Sequence, residues 1–282
     1  MPKLLTDAQI AQFQRDGYVT PIRVLSTEQA GALRARLEAY EAGGGAARDG
    51  LRHKAHLLLT WLADLVRHER VLDAVEDLYG PDLLCWASSF FIKDAEAPAY
   101  VSWHQDSTYW GLSAPDVVTA WVALTDSNAA NGAMQVIPGS HTRDQMPHRD
   151  TFAPDNLLSR GQEVAVDVDP SRAVRFDLRA GEMSLHHVRL VHGSPPNTST
   201  RRRIGYAIRY MPTRVRQLHG ADGASLVRGT DRYGHFEPEP RPAADLDPAA
   251  VAFHRASSER SSRILYRGAD APGAADPSAA RG

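Results

Sequence analysis

Residues 183–210 read MSLHHVRLVHGSPPNTSTRRRIGYAIRY, and this stretch contains two short apolar runs, Met183 to His187 and Ile204 to Tyr210. A polar segment rich in Pro, Ser, Thr and Arg separates the runs. Short runs of apolar and aromatic residues that are bounded by turn-forming residues are typical of β-strands. The stretch therefore predicts two strands with a turn before the second.

Similar runs fill the chain from about Cys85 onward, and turn clusters such as Asn131-Gly132 and Pro138-Gly139 separate them. Many short strands without long helices between them predict an antiparallel sandwich or barrel. The further runs are Phe90 to Ile92, Val117 to Leu124, Met134 to Ile137 and Val164 to Val168.

The first 84 residues instead predict helices. Thr6 is placed to cap a helix that ends at Gly17, and Ser26 has capping-box spacing for a second helix. The stretches Leu57 to Leu65 and Val71 to Tyr79 predict two more.

We expect one domain over residues 1–267. It comprises a helical part at 1–84, a β core at about 85–215 and a weakly periodic extension at 216–267. The composition of residues 268–282 predicts a disordered tail.

The composition is that of a soluble globular protein, with 43% hydrophobic and 23% charged residues. A net charge of -2 gives no basis for nucleic-acid binding, so a small-molecule substrate is expected. The lone Cys85 excludes an intramolecular disulfide, and no apolar run approaches the ~18 residues of a membrane span. Since the first residues also lack a signal-peptide pattern, we expect a cytoplasmic monomer or homodimer without a membrane partner.

The chain contains three His-x-acid pairs, a pattern in which two side chains on one strand can reach a single metal ion. With 12 His and 34 acidic residues, chance alone predicts one or two such pairs, so the pattern by itself is weak. The pairs are His104-Gln105-Asp106, His148-Arg149-Asp150 and His235-Phe236-Glu237.

The surroundings of the three pairs differ. His148 lies in a polar stretch and His235 in a Pro-rich one, which favours solvated loops. His104 follows Tyr100, Val101 and Trp103 at the edge of the predicted core. A partly dry and rigid position of this kind suits a metal site.

Four motifs in order make a resemblance specific: WHQDSTYWG from Trp103 to Gly111, Ala120-Trp121, NGAMQVIPGSH from Asn131 to His141, and HGSPPNTSTRRR from His192 to Arg203. Over roughly residues 50 to 212 the chain resembles the phytanoyl-CoA dioxygenase family of iron and 2-oxoglutarate oxygenases. The resemblance implies a mainly β fold, with a double-stranded β-helix core of the jelly-roll or cupin type and N-terminal helices. It also implies Fe(II), 2-oxoglutarate as co-substrate, and O2.

By the same resemblance His104, Asp106 and His192 match the family's metal ligands. His186 and His187 compete with His192 for the third position. Because adjacent strand residues point to opposite faces, at most one of these two reaches the metal, and neither is followed by the Gly-Ser of the motif.

The family's anchor for 2-oxoglutarate is an arginine eleven residues after the distal histidine, which is Arg203 here. Arg201 and Arg202 are the alternatives. A guanidinium forms two parallel hydrogen bonds with a carboxylate, which suits this role. Three further residues match family positions around the co-substrate, namely Ser194, Trp121 and Lys54, with Lys93 as the alternative to Lys54.

The implied reaction hydroxylates an aliphatic carbon of a small metabolite or natural-product intermediate and releases succinate and CO2. Related halogenases lack the carboxylate, so Asp106 favours hydroxylation, while desaturation, epoxidation and cyclisation would use the same site. A zinc hydrolase and a non-catalytic ligand-binding barrel are the rival classes. Residues beside the metal motif are candidates for the substrate pocket, namely Ser102, Ser107, Tyr109 and Trp110.

Overall fold

The computed structural model describes residues 2–43 and 51–267, and the tail predicted at 268–282 lies outside these residues. The described residues form two main β-sheets with helices packed on one of them. The strands are β1 (Tyr18–Arg23), β2 (Leu83–Lys93), β3 (Val101–His104), β4 (Val118–Ala123), β5 (Gln135–Val136), β6 (His148–Arg149), β7 (Glu163–Val164), β8 (Val174–Arg175), β9 (Glu182–His187), β10 (His192–Ser194), β11 (Arg203–Pro212), β12 (Gly223–Arg228) and β13 (Glu237–Pro238).

The larger sheet has the strand order β1-β9-β4-β11-β2-β12-β13, and the smaller one has the order β3-β10-β5-β8. All of their pairs are antiparallel except β12 with β13. The two sheets face each other across a cavity lined by residues of both. This is the double-stranded β-helix expected from the sequence.

The N-terminal helices cover the outer face of the larger sheet. They are α1 (Asp7–Asp16), α2 (Thr27–Ala42), α3 (Thr60–Leu65) and α4 (Glu69–Tyr79). Thr6 and Ser26 each form the predicted capping box. The predicted helix from Leu57 to Leu65 is divided into a 3-10 turn and α3, so that expectation was only partly right.

Alternation along β11 divides its side chains between two environments. Ile204, Tyr206, Ile208 and Tyr210 point outward into the main hydrophobic core with the helices. The residues between them point inward to the cavity, namely Arg203, Ala207 and Arg209. The strand is therefore buried on both faces, with the charged groups confined to the inner one.

The strand predictions for residues 90–92, 117–124, 183–187 and 204–210 are confirmed. The run from Val164 to Val168 is a strand only at β7, and the weak periodicity after Arg216 gave no indication of α5 (Pro248–Leu265). Asp247 caps α5 by accepting from two backbone N–H groups, and Pro248 occupies its first turn. Among the described residues, no helix has the length and apolar character that crossing a membrane requires.

Candidate metal and co-substrate site

His104, Asp106 and His192 converge at one end of the smaller sheet. His104 ends β3 and His192 begins β10, and the two are direct partners in the ladder. Asp106 follows two residues after His104, and its backbone N–H donates to Val188 O at 3.0 Å. One potential ligand atom from each of the three buried residues lies within 4.8 Å of the others. The arrangement therefore offers two imidazoles and a carboxylate to one ion.

Backbone carbonyls fix the tautomers of both histidines. His104 Nδ1 lies 2.9 Å from Ser102 O and 3.1 Å from His192 O, and His192 Nδ1 lies 2.9 Å from Leu190 O. Since a carbonyl oxygen only accepts, each Nδ1 must carry the hydrogen, which leaves the lone pair on Nε2. Burial also lowers the pKa of His192 well below its usual value, so its ring is neutral, as a metal ligand must be.

This tautomer leaves two acceptors facing each other. His104 Nε2 lies 3.3 Å from Asp106 Oδ1, and neither atom carries a hydrogen in the state just described. Thr119 Oγ1 donates to the other carboxylate oxygen at 3.3 Å. Two lone pairs at this distance repel unless a proton or a metal ion lies between them. The donor set therefore fits a bound metal ion.

His186 and His187, the competing candidates for the third ligand, point to opposite faces of β9, as alternation along a strand requires. His186 lines the cavity, with its ring 4.9 Å from that of His192, but its ring nitrogens are not part of the three-residue cluster. Burial lowers the pKa of His186 to about 4. His187 points the other way and packs against Phe13 and His141. His192 therefore remains the candidate third ligand.

Arg203 is the inward member of the arginine triplet. It is buried, it donates through Nη1 to Gly132 O, and its Nε has no hydrogen-bond partner among the described residues. Its guanidinium carbon lies 5.3 Å from the Trp121 ring centroid. Burial lowers the pKa of Arg203 to about 10, so it stays cationic at neutral pH. By contrast Arg202 pairs with Glu41 and Asp94 at the surface, and Arg201 is exposed.

Ser194 lines the polar end of the cavity, and Lys93 lies behind Ser194. Lys93 is the ladder partner of Arg203, and its Nζ donates to Ser194 Oγ at 2.7 Å. Burial and the neighbouring charge of Arg203 lower the pKa of Lys93 to about 6. Ser194 and Trp121 line the same cavity, where the sequence places them. The amine of Lys93, a hydroxyl and an indole thus lie close to Arg203.

Lys54 does not reach this cavity, contrary to the expectation from the sequence. It lies fully buried behind β2, where its Nζ contacts Glu239 at 2.6 Å, Gly223 O at 2.7 Å and Asp222 at 3.3 Å. These contacts tie the segment before α3 to the C-terminal extension. Lys54 is therefore a structural cation, and Lys93 is the lysine at the candidate co-substrate site.

A larger cavity of about 440 Å³ adjoins the metal residues, and we call it the chamber. Asp106, Phe91 and Arg209 line both the chamber and the smaller cavity, so they stand at the junction of the two. The end of α5 forms another wall through Ile264 and Leu265. Aromatic rings line part of the rest, namely Trp86, Phe90, Tyr109 and Trp110, and so do charged groups, namely Arg52, Asp94 and Asp222.

Of the four predicted substrate residues, only Tyr109 and Trp110 line the chamber. Ser102 donates to Gln162 O at 2.5 Å, and Ser107 donates to Gln145. Both hydroxyl groups therefore serve the surrounding loops, and neither lines either cavity. The prediction failed for them because flanking a metal motif in sequence does not decide which way a side chain points.

The two remaining His-x-acid pairs behave differently from each other. His235 is exposed and stacks on Tyr233, as the sequence indicates. His148, which we expected in a solvated loop, is partly buried, and its Nε2 accepts from the backbone N–H of Gln105 at 2.9 Å. That pair therefore braces the turn that carries Asp106.

Comparisons with known proteins agree with this geometry. The family profile described as phytanoyl-CoA dioxygenase matches residues 13–205. The chain is 33% identical over 188 residues to a probable alpha-ketoglutarate-dependent hypophosphite dioxygenase from Stutzerimonas stutzeri. This alignment covers 64% of the chain and 60% of that protein. It is 29% identical to an L-proline trans-4-hydroxylase from Streptomyces griseoviridis over 73% of this chain and 86% of that one.

A solved structure is similar over most of the chain. The non-heme monooxygenase ThoJ in its apo form is 39% identical, covers 92% of this chain and 98% of its own, and superposes with a TM-score of 0.83. Its nickel complex superposes with a TM-score of 0.78.

Proposed function

The chain belongs to the phytanoyl-CoA dioxygenase family of 2-oxoglutarate-dependent dioxygenases, and we propose that it hydroxylates an aliphatic carbon of a small molecule held in the chamber. The observation that carries this proposal is the convergence of His104, Asp106 and His192 beside Arg203 in one buried cavity. Two imidazoles and one carboxylate on one side of an ion are the ligand set of non-haem Fe(II) oxygenases. A zinc hydrolase would leave the buried arginine unexplained.

Fe(II) would be held by Nε2 of His104, Nε2 of His192 and the carboxylate of Asp106. The carbonyl groups that accept from each Nδ1 orient the rings and keep both Nε2 atoms available. Asp106 supplies the one negative charge of the set. Its presence also leaves no ligand position for a halide, which favours hydroxylation over halogenation.

2-Oxoglutarate would be anchored by Arg203, with Ser194 and Lys93 beside it. An arginine that is buried without an anionic partner costs free energy, and a carboxylate at this point would relieve that cost. The small cavity holds about 30 Å³, so a dicarboxylate would enter only with a shift of the side chains around it. Met134, which lines this cavity, is flexible enough to give way.

When bound together, Fe(II) and 2-oxoglutarate supply an oxidation in which O2 is consumed, succinate and CO2 are released, and one oxygen atom enters a substrate C–H bond. The protein's own residues position the reactants and exclude water from them. The substrate is expected in the chamber, since Asp106 lies at its inner end and Tyr109 and Trp110 supply aromatic walls. Two hydroxylating or oxygenating relatives, the L-proline trans-4-hydroxylase and ThoJ, support this type of reaction.

An anaerobic titration tests the proposal. Fe(II) and then 2-oxoglutarate are added to the protein, and we expect a visible metal-to-ligand charge-transfer band that saturates at one equivalent of each. Asp106→Ala should lose the band, and Asp144→Ala, which changes an exposed aspartate, should keep it. Tight zinc binding without any band in the unchanged protein would contradict the proposal.

A further inference from the structure

A second inward arginine lies on the same strand as the proposed co-substrate anchor. Arg209 follows Arg203 by six residues, so the two point to the same face of β11 at a separation of about 20 Å along the strand. The inward residues between them are small, namely Gly205 and Ala207. The strand therefore presents two cations on its inner face, and the Trp121 indole packs over Gly205 between them.

Arg209 is buried, and it has no acidic partner in the part of the chain that the structure describes. Its Nη1 donates to Ser89 Oγ at 2.5 Å, while its Nε has no hydrogen-bond partner among the described residues. Asp106 is close enough to act on its charge, but the two form no ion pair within 4 Å. The rings of Phe91 and Trp110 each lie 5.7 Å from its guanidinium carbon. These surroundings favour binding of a planar anion to the guanidinium over its hydration.

Arg209 lies where an anionic group bound to it would be next to the candidate metal residues. Arg209 lines both the chamber and the smaller cavity, as do Phe91 and Asp106. A ligand bound to Arg209 would therefore have its anionic group at the junction and its body in the chamber. The carbon atoms next to the anionic group would then lie close to the metal residues.

A count of charges says which anion fits. Once Fe(II) and 2-oxoglutarate are in place, their charges and those of Asp106 and Arg203 cancel. The positive charge of Arg209 is left over at the chamber, which Lys93 does not line. The other charged groups that line the chamber are Arg52, Asp94 and Asp222, and these two carboxylates against one arginine disfavour a second negative charge on the ligand. One surplus positive charge fits a monoanion, and a guanidinium fork matches a carboxylate.

We propose that Arg209 is the substrate-anchoring residue of this enzyme and that the substrate is a monocarboxylic acid with a largely apolar or aromatic body. The chamber volume of about 440 Å³ is in the range of sites for drug-sized ligands, so the substrate is larger than a free amino acid. This inference rests on the proposed function, since it uses the placement of Fe(II) and 2-oxoglutarate.

Binding of matched probe pairs tests the proposal without turnover. The probes are 4-phenylbutyrate and indole-3-propionate, each with its primary amide, plus 2-phenylethylphosphonate as a dianionic analogue. Fluorescence of the chamber tryptophans and calorimetry report their affinities for the protein with and without Fe(II) and 2-oxoglutarate under anaerobic conditions. We expect the wild type to prefer each acid over its amide by about tenfold or more, and over the phosphonate.

Arg209→Gln should bring the ratio of acid to amide affinity close to one while the amides still bind. Arg209→Lys should restore part of the preference, and Arg214→Gln, which changes an exposed arginine on the next loop, should keep all of it. A preference for acids that survives in Arg209→Gln, or its absence in the wild type, would overturn the proposal. So would a phosphonate that binds better than the acids.

The charge-transfer titration separates this inference from the proposed function. A normal band in Arg209→Gln together with a lost acid preference supports a substrate role. If Arg209→Gln instead weakens 2-oxoglutarate and leaves the acid preference intact, the residue serves the co-substrate and the inference is wrong. Failure of the band in the wild type would contradict the proposed function, while the acid and amide affinities of the metal-free protein would still report on Arg209.

Discussion

Replacing Gly205 with alanine tests the packing of Trp121 against β11. A Cβ atom at this position would lie 1.8 Å from Trp121 Cζ2 and 2.2 Å from Cε2. The indole must therefore retreat by about 1.6 Å to restore ordinary van der Waals contact. The ring has little freedom to do so, because it is 4% exposed and lies beside the Arg203 guanidinium.

Overpacking of this kind costs about 1–3 kcal/mol, which lowers Tm by roughly 2–10 °C in a chain of this size. We also expect weaker binding of 2-oxoglutarate, since Trp121 lines the cavity proposed for it. Thermal unfolding measures the first effect, and the anaerobic charge-transfer titration measures the second.

Gly31→Ala is the matched control. Gly31 lies within α2, and a Cβ atom there would meet nothing within 4 Å. Alanine in a helix interior is more favourable than glycine by about 0.5–1 kcal/mol, so this variant should be slightly more stable than the wild type. If Gly205→Ala unfolds at the wild-type temperature and binds 2-oxoglutarate normally, the packing described for Trp121 is wrong.

The other predictions concern the basic residues. Lys54→Met should lower the free energy of unfolding by about 3–5 kcal/mol in a denaturant titration, because Glu239 loses its buried counterion, and a loss of 2-oxoglutarate affinity without loss of stability would contradict this. Since the pKa of Lys93 is about 6 and a nearby carboxylate raises it, 2-oxoglutarate binding should take up a proton and weaken by up to about tenfold per pH unit above pH 6. Calorimetry in buffers of different ionisation enthalpy measures this uptake, and Lys93→Met should abolish it. Arg203→Leu should weaken 2-oxoglutarate by about 2–5 kcal/mol in the same assay, and an equal loss in Arg201→Leu would show that the register is wrong.

The strands of the larger sheet could be predicted because their signals are local. In β4, β9 and β11 the apolar runs and the turns beside them lie within a few residues of each other. The order of the four motifs identified the family resemblance, and this resemblance predicted the fold and the candidate metal residues. His104 and His192 are 88 positions apart in the chain, and only the family resemblance connected them before the ladder pairing was known.

The prediction that Lys54 lies at the co-substrate site was wrong, because the position of a residue in the sequence does not show which strands pair. Lys93 is opposite Arg203 only because β2 and β11 pair in that register. A signal for Arg209 was available, since it follows Arg203 at an even spacing with small residues between them. The family resemblance did not indicate it, because the family motif ends at Arg203.

The role of α5 could not be foreseen from local pattern. The helix has few apolar residues, and it is held by contacts between distant positions, such as Arg160 Nη1 with Leu265 O at 2.9 Å and His254 Nε2 with His53 O at 2.7 Å. Its contribution to the chamber follows from those contacts.

The most direct test of the central claim is a crystal structure of the protein loaded anaerobically with Fe(II) and 2-oxoglutarate. We expect one metal ion at about 2.0–2.3 Å from Nε2 of His104, Nε2 of His192 and a carboxylate oxygen of Asp106. We also expect the far carboxylate of 2-oxoglutarate on the Arg203 guanidinium. A metal ion bound elsewhere, or a co-substrate carboxylate on Arg209 with Arg203 unoccupied, would contradict the proposed site.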